Sequence, residues 1–215
     1  MLCLAPSAGR VVCAACEAEL GGCANACPGC ALALPPGMAC PACRAQRFAF
    51  DAALARFDYR FPVDRLIHRF KYGGDLAVGR WLAERLAERA LDAARPDLLV
   101  VPTLAAARLR ERGFNQAVEI ARVLARRLHV PLDRRLVRRR RATAPQARLG
   151  RRARQANLRG AFECARDVRD AHVAIVDDVL TTGATADAIA RVLKDAGAAR
   201  VSVWAVARAP DPQAR

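Results

Sequence analysis

The sequence predicts an α/β fold, a parallel sheet flanked by helices, with a small cysteine-rich domain at the N-terminus. Three observations carry this. Val173-Ala-Ile-Val176 is an apolar run with three β-branched residues in four, too short for a helix and typical of a strand buried on both faces. Two acids, a Thr/Gly loop and a helical stretch follow it directly, and strand-like and helix-like segments alternate upstream. Eight of the nine cysteines fall in the first 43 residues, where large apolar side chains are few.

The cysteine-rich segment comes first. Cys13-x-x-Cys16, Cys27-x-x-Cys30 and Cys40-x-x-Cys43 are pairs of the kind that offers two thiolates to one tetrahedral zinc. Two pairs close a site. Cys27, Cys30, Cys40 and Cys43 form the cleanest set, with Pro35, Pro36 and Gly37 in the loop between them. Cys13 and Cys16 then need two further ligands, for which Cys3 and Cys23 are the candidates. A redox dithiol or an incidental cysteine-rich tail is the other reading. A segment of about 45 residues without a core of its own gains its folding energy from cysteinate coordination, so this zinc is expected to be structural.

Ala52 to Tyr59 reads as a strand, and Val63 to Lys71 and Leu76 to Leu91 read as helices. Leu98 to Val101 is a second buried strand, closed by Pro102. A polar, basic stretch, Arg108-Leu-Arg-Glu-Arg112-Gly-Phe-Asn-Gln116, leads into a helix from Phe114 to Leu128 and is a candidate phosphate site. From Arg134 to Arg169 thirteen arginines stand against two acids, Glu163 and Asp167. That run is a solvated surface, a flap whose guanidinium groups close over a diphosphate, or a track for single-stranded nucleic acid. The scarcity of aromatic residues for base stacking weakens the last.

The most informative stretch is Val173-Ala-Ile-Val-Asp-Asp-Val-Leu-Thr-Thr-Gly-Ala-Thr185. Asp177 and Asp178 are read at the carboxyl end of the strand, where open α/β sheets place ligands, and their carboxylates can accept from the vicinal hydroxyls of a ribose. Thr181, Thr182, Gly183, Ala184 and Thr185 form an anion cradle. Gly183 admits close approach of backbone to phosphate, and the helix Ala184 to Asp195, stopped by Gly197, aims its positive end there. A strand, an acidic turn and a Thr-capped helix also occur in βα units that bind nothing. Phosphate loops of the Walker and dinucleotide types are excluded, since neither glycine pattern is present.

The chain has 215 residues, a net charge of +15 and a pI near 10.7, which favours phosphate-rich partners. No apolar run approaches the roughly 20 residues that cross a bilayer, and Met1 to Leu20 lacks the pattern of a secretory signal. The expectation is a cytoplasmic protein with no membrane insertion.

The thirteen residues from Val173 resemble the diphosphate-sugar motif of the type I phosphoribosyltransferases. Together with the cysteine pairs, Leu66-Ile-His-Arg-Phe-Lys-Tyr-Gly-Gly74, Arg112-Gly-Phe-Asn-Gln116, and Gln146 with Arg154-x-x-Asn157, they resemble the ComF family of competence-associated proteins, in the same order and over nearly the whole chain. The resemblance implies a double zinc ribbon over residues 1–47, with its first site truncated at Cys3, and a phosphoribosyltransferase core over residues 48–215. It implies 5-phosphoribosyl 1-diphosphate (PRPP) with Mg²⁺ as ligand. Asp177 and Asp178 would then hold the ribose, Thr181 to Thr185 the 5-phosphate, Arg108 and Arg112 the diphosphate, while Gln146 and Arg154 belong to a flexible loop. A link to natural transformation follows, with single-stranded DNA and competence-machinery proteins as partners. Purine-salvage relatives carry an Asp where this chain has Thr181, so the resemblance argues against a guanine or hypoxanthine acceptor. It leaves open a transferase of unknown acceptor or a PRPP-sensing adaptor without turnover.

Overall fold

The computed structural model describes residues 10–23, 25–104, 106–140, 158 and 160–210, without the side chains of 106–108. Cys3, Gln146, Arg154 and Asn157 lie outside the described residues. Five strands form one wholly parallel sheet: β1 (Ala52–Asp58), β2 (Leu98–Val100), β3 (Leu132–Asp133), β6 (His172–Leu180) and β7 (Arg200–Arg208), in the order β1-β7-β6-β2-β3. β4 (Val137–Arg139) and β5 (Phe162–Cys164) pair as a separate antiparallel hairpin. Seven helices are described: α1 (Ala14–Glu19), α2 (Pro41–Ala45), α3 (Val63–Gly73), α4 (Leu76–Ala90), α5 (Ala106–Arg112), α6 (Gln116–Leu128) and α7 (Ala184–Asp195).

Helices cover both faces of the sheet, which is why its central strands carry continuous apolar runs, Val173–Val176 in β6 and Val203–Ala207 in β7, rather than alternating. One core holds α3, α4 and α6 against Phe57, Ala174, Val176, Trp204 and Val206. The other packs α7 and the β4–β5 hairpin against Ala55, Val173, Ile175, Val203 and Ala205. A third, small cluster is built from Cys27, Cys30, Leu32, Cys40 and Ala42, with Phe48 alongside.

Local chemistry sets the helix ends. The Asp75 carboxylate accepts from Val78 N at 3.0 Å and starts α4, and Asn115 Oδ1 accepts from Ala117 N at 3.1 Å and starts α6. Gly74 ends α3 in the left-handed region at φ 65°. The stretch read as a polar lead-in differs from expectation: Ala106–Arg112 is a helix of its own, Gly113 breaks it at φ 73°, and α6 begins at Gln116 rather than Phe114.

The α3–α4 contact has no room to spare. A methyl group added at Gly79 would come within 2.7 Å of three ring carbons of Phe70, itself buried against α4. Gly79→Ala gains up to about 1 kcal/mol of helix propensity, but overpacking a core site costs about 1–3 kcal/mol. The expected outcome is net destabilisation, read as a melting temperature lower by a few degrees; an unchanged or higher value would show that the two helices slide apart freely.

Candidate functional site

β6 carries both acids to the C-terminal edge of the sheet. Its pairing with β7 runs on through Val179↔Ala207 and Leu180↔Arg208, so Asp177 and Asp178 lie within the strand and not just past its end. The apolar run stops at Val176, but the backbone ladder does not. Gly183 then turns the chain at φ 78°, Ala184 N donates to Thr182 Oγ1 at 3.4 Å, and Asp187 N donates to Gly183 O at 2.8 Å as α7 starts. The N-terminal end of α7 is therefore aimed at the loop, which favours an anion there.

Asp177, Asp178, Thr181 and Thr185 line one cavity of 180 Å³. Three cations line it too: Lys71 from the last turn of α3, Arg112 from the end of α5, and Arg139 from β4. Asp178 is buried, with one carboxylate oxygen accepting from Val179 N at 2.6 Å and the other 2.8 Å from Lys71 Nζ. Loss of bulk water, and then the Asp178 charge, pushes Asp177 up to about 7 against the pull of Lys71. Asp177 thus titrates near neutrality rather than in the usual carboxylate range.

Arg112 is steered by its neighbours. It donates to Gln116 Oε1 and to Tyr72 Oη, both at 3.2 Å, lies over the Tyr72 ring, and leaves its Nε buried without a partner. Arg139 packs over Phe162 with Nε donating to Thr103 O at 3.3 Å, so the β4–β5 hairpin roots the basic run beside the cavity. Arg108 belongs to α5, and its side chain is outside the description. Lys71, Asn115, Gln116 and Arg139 were not singled out from residue type. The first three do sit in the stretches that carry the family resemblance.

The sulfurs of Cys27, Cys30, Cys40 and Cys43 lie within 4.8 Å of one another, with Cys27–Cys43 at 3.7 Å and Cys30–Cys40 at 3.5 Å. A tetrahedral zinc at about 2.3 Å from each sulfur needs edges of about 3.8 Å, so the four side chains fit a metal such as zinc. Metal-free, burial pushes the Cys30 thiol up to about 11, a proton that a bound cation would displace. Among the described residues this is the only such cluster of three or more Cys, His, Asp or Glu. Cys13 caps α1, accepting from Cys16 N at 3.5 Å. Cys23 is buried and donates to Asp58 Oδ1 at 3.3 Å; burial and then the Asp58 charge push its thiol up to about 12.

The cysteine cluster abuts the threonine loop. Arg208 is buried, and its Nε donates to Cys30 O at 2.8 Å while its Nη1 donates to Leu180 O at 3.0 Å, Ala209 O at 2.6 Å and Thr181 O. The Phe48 ring, stacked on Phe50, would lie 2.8 Å from a Cβ added at Gly183. Ala49 N donates to Asp187 Oδ1 at 2.6 Å, fixing the first turn of α7 to the same segment.

The parallel sheet, the acidic pair at its C-terminal edge and the threonine loop before α7 define a phosphoribosyltransferase-type fold, and residues 115–215 match the phosphoribosyl transferase domain family. The chain is 35% identical over 204 residues to DNA utilization protein YhgH of Escherichia coli strain K12, covering 92% of this chain and 90% of that one. It is 33% identical over 179 residues to Competence protein F of Haemophilus influenzae, covering 79% and 78%. The chain belongs to this ComF family. Among solved structures, adenine phosphoribosyltransferase of Thermoanaerobacter pseudethanolicus shares 22% identity over 61% of this chain and 68% of that one, with a TM-score of 0.40. No helix among the described residues is long and apolar enough to cross a membrane.

Replacing Arg208 by Leu removes the side-chain donor to four backbone carbonyls, of which Leu180 O keeps its bond from Ala209 N. Cys30 O is the buried carbonyl left unpaired, while Thr181 O and Ala209 O can turn to water, so at about 1–3 kcal/mol for a buried group left unpaired the variant is expected to lose at least that amount in urea unfolding. Arg208→Lys should recover only part of this, since an ammonium has three donors on one atom and not a planar fork. Stability equal to the parent in both variants would mean that the clip between cysteine cluster and loop is dispensable.

Proposed function

We propose that the chain binds PRPP with Mg²⁺ in the cavity at the C-terminal edge of the sheet and acts as a phosphoribosyltransferase-family protein in DNA uptake. The observation that carries this is the convergence, in one cavity, of the Asp177–Asp178 pair, of Thr181 and Thr185 from the loop at a helix N-terminus, and of three cationic side chains. In this reading the two carboxylates accept the ribose hydroxyls. Thr181, Thr182, Gly183, Ala184 and Thr185 hold the 5-phosphate by side-chain and backbone donors. Arg112, with Arg108 on the same helix, faces the diphosphate, and Gln146 and Arg154 belong to the loop that closes over it. Mg²⁺ fits the donor set as an ion held chiefly by ligand oxygens and water, with carboxylates in reach; it would neutralise the diphosphate. Residues 1–47 are the zinc-binding unit, with Cys27, Cys30, Cys40 and Cys43 on one zinc, and residues 48–215 the ligand-binding unit.

The link to DNA uptake rests on relatives named for DNA utilization and competence, and on the basic charge of the chain. The same observations favour a second reading, an adaptor that senses PRPP and holds single-stranded DNA or competence-machinery proteins without turnover. Labelled PRPP with Mg²⁺ and a panel of nucleobases, amines and single-stranded DNA separates the two: diphosphate release with one acceptor means transfer, and binding without release means sensing. DNA affinity carried by arginine–phosphate contacts should fall steeply with salt.

Asp178→Ala is expected to abolish calorimetric binding of PRPP and leave the circular dichroism spectrum unchanged; retained binding would refute the ribose assignment. The pH dependence has a definite sign. Ionised Asp177 accepts a hydroxyl more strongly than the neutral acid does, and its raised position near 7 makes PRPP affinity increase from pH 6 to pH 8, by up to about tenfold for one group titrating there. Asp177→Asn should remove that component from the profile. Metal analysis of the purified protein should find at least one zinc per chain, and Cys40→Ser should lose it; a metal-free, folded parent would end the zinc assignment.

A further inference from the structure

Lys71 lies in the Leu66–Gly74 stretch that carries the family resemblance, and the fold half-buries it against the acidic pair. Its side chain is 18% exposed and its ammonium lies 2.8 Å from Asp178 Oδ2. Burial by itself would lower its pKa, but the charge and hydrogen bond of Asp178, then Asp177 and Tyr59, more than offset this, and the lysine stays charged. A buried ammonium is stable only with a counter-charge in reach.

The other Asp178 oxygen is already engaged by Val179 N. Val179 N is fixed in the strand, whereas the Lys71 side chain can move, so Oδ2 is the oxygen that can be vacated for an incoming hydroxyl. On the sugar-diphosphate reading of this cavity, on which the inference rests, a ribose hydroxyl docking on Asp178 competes with Lys71. The displaced ammonium must then find another anion within reach of its four-carbon stem. The ligand supplies one, because the diphosphate sits on the carbon next to the hydroxyls. Gln116 Nε2 holds the Lys71 carbonyl at 3.4 Å, and Gln116 in turn accepts from Arg112, so the lysine and the arginine with the unpartnered Nε are anchored to one residue.

We infer that Lys71 is a binding residue for the leaving diphosphate, parked on Asp178 until the ligand arrives and exchanged onto it when the ribose takes Oδ2. In transfer, the bond between the anomeric carbon and the diphosphate oxygen breaks with its electron pair leaving on the diphosphate. The acceptor's lone pair forms the new bond, and the acceptor's proton passes to solvent. Lys71 gives up no proton. It neutralises charge that grows as the bond breaks, which stabilises the transition state more than the ground state.

The test is calorimetry with Mg²⁺ on the parent, Lys71→Met and Lys71→Arg, using two probes, PRPP and ribose 5-phosphate. Lys71→Met is expected to bind PRPP at least tenfold more weakly while ribose 5-phosphate binds as well as or better than to the parent, since no ion pair has to be broken. Lys71→Arg should recover most of the PRPP affinity. Retained ribose 5-phosphate binding also shows that the variant is folded. Unchanged PRPP affinity in Lys71→Met, or equal loss of both probes, overturns the inference and leaves the ribose reading intact. A parent that binds neither probe overturns both.

Discussion

The buried guanidinium of Arg208 is the constraint on which the arrangement of the site depends. It sits at the last paired position of β7, opposite Leu180 of β6 and Asp58 of β1, so it caps the C-terminal edge of three strands at once. Among the described residues it forms no ion pair; its hydrogens go to carbonyls of the cysteine cluster, the end of β6 and the threonine loop. Only a planar group with several fixed donors can join three such segments. With Phe48 closing over Gly183 and Ala49 held by Asp187, the segment after the cysteines becomes a wall of the loop. Metal coordination at Cys30 would thus stiffen, through one residue's carbonyl, the backbone that cradles an anion.

On that fixed edge, charge is balanced rather than simply accumulated. Two carboxylates one residue apart in a strand repel, and the fold answers with a half-buried lysine on one and a raised proton affinity on the other. On the proposed reading a ligand would displace both: hydroxyls would replace the proton and the ammonium, and a diphosphate would give the released cation a partner. Arg112 and Arg139 extend this reserve of positive charge along the same cavity wall. A strongly basic chain concentrates phosphate-bearing molecules generally, but this convergence is what would single out a sugar diphosphate.

Much of this was legible in the sequence because it is local. The Val173–Val176 run, the helix from Ala184 and the four-cysteine set depend on spacing and side-chain type, and the structure places each of them as read. The apolar pattern ends β6 too early because it records side chains, whereas backbone pairing with β7 carries the strand four residues further. The helix Ala106–Arg112 was passed over as polar, although Ala, Arg, Leu and Glu are all good helix formers. Lys71 and Arg208 were out of reach for another reason. Each gains its role from a partner far away in the chain, Asp178 for one and Cys30 for the other, and no local pattern marks an arginine that will be buried.

The central claim is that a phosphorylated, diphosphate-bearing ribose docks where β6 passes into its threonine loop. A crystal of the protein soaked with PRPP and Mg²⁺ tests it most directly. The account predicts the 5-phosphate within hydrogen-bond distance of the Thr181–Thr185 loop and the ribose hydroxyls on Asp177 and Asp178. Ligand density at any other place on the molecule, with this cavity unchanged, would contradict it.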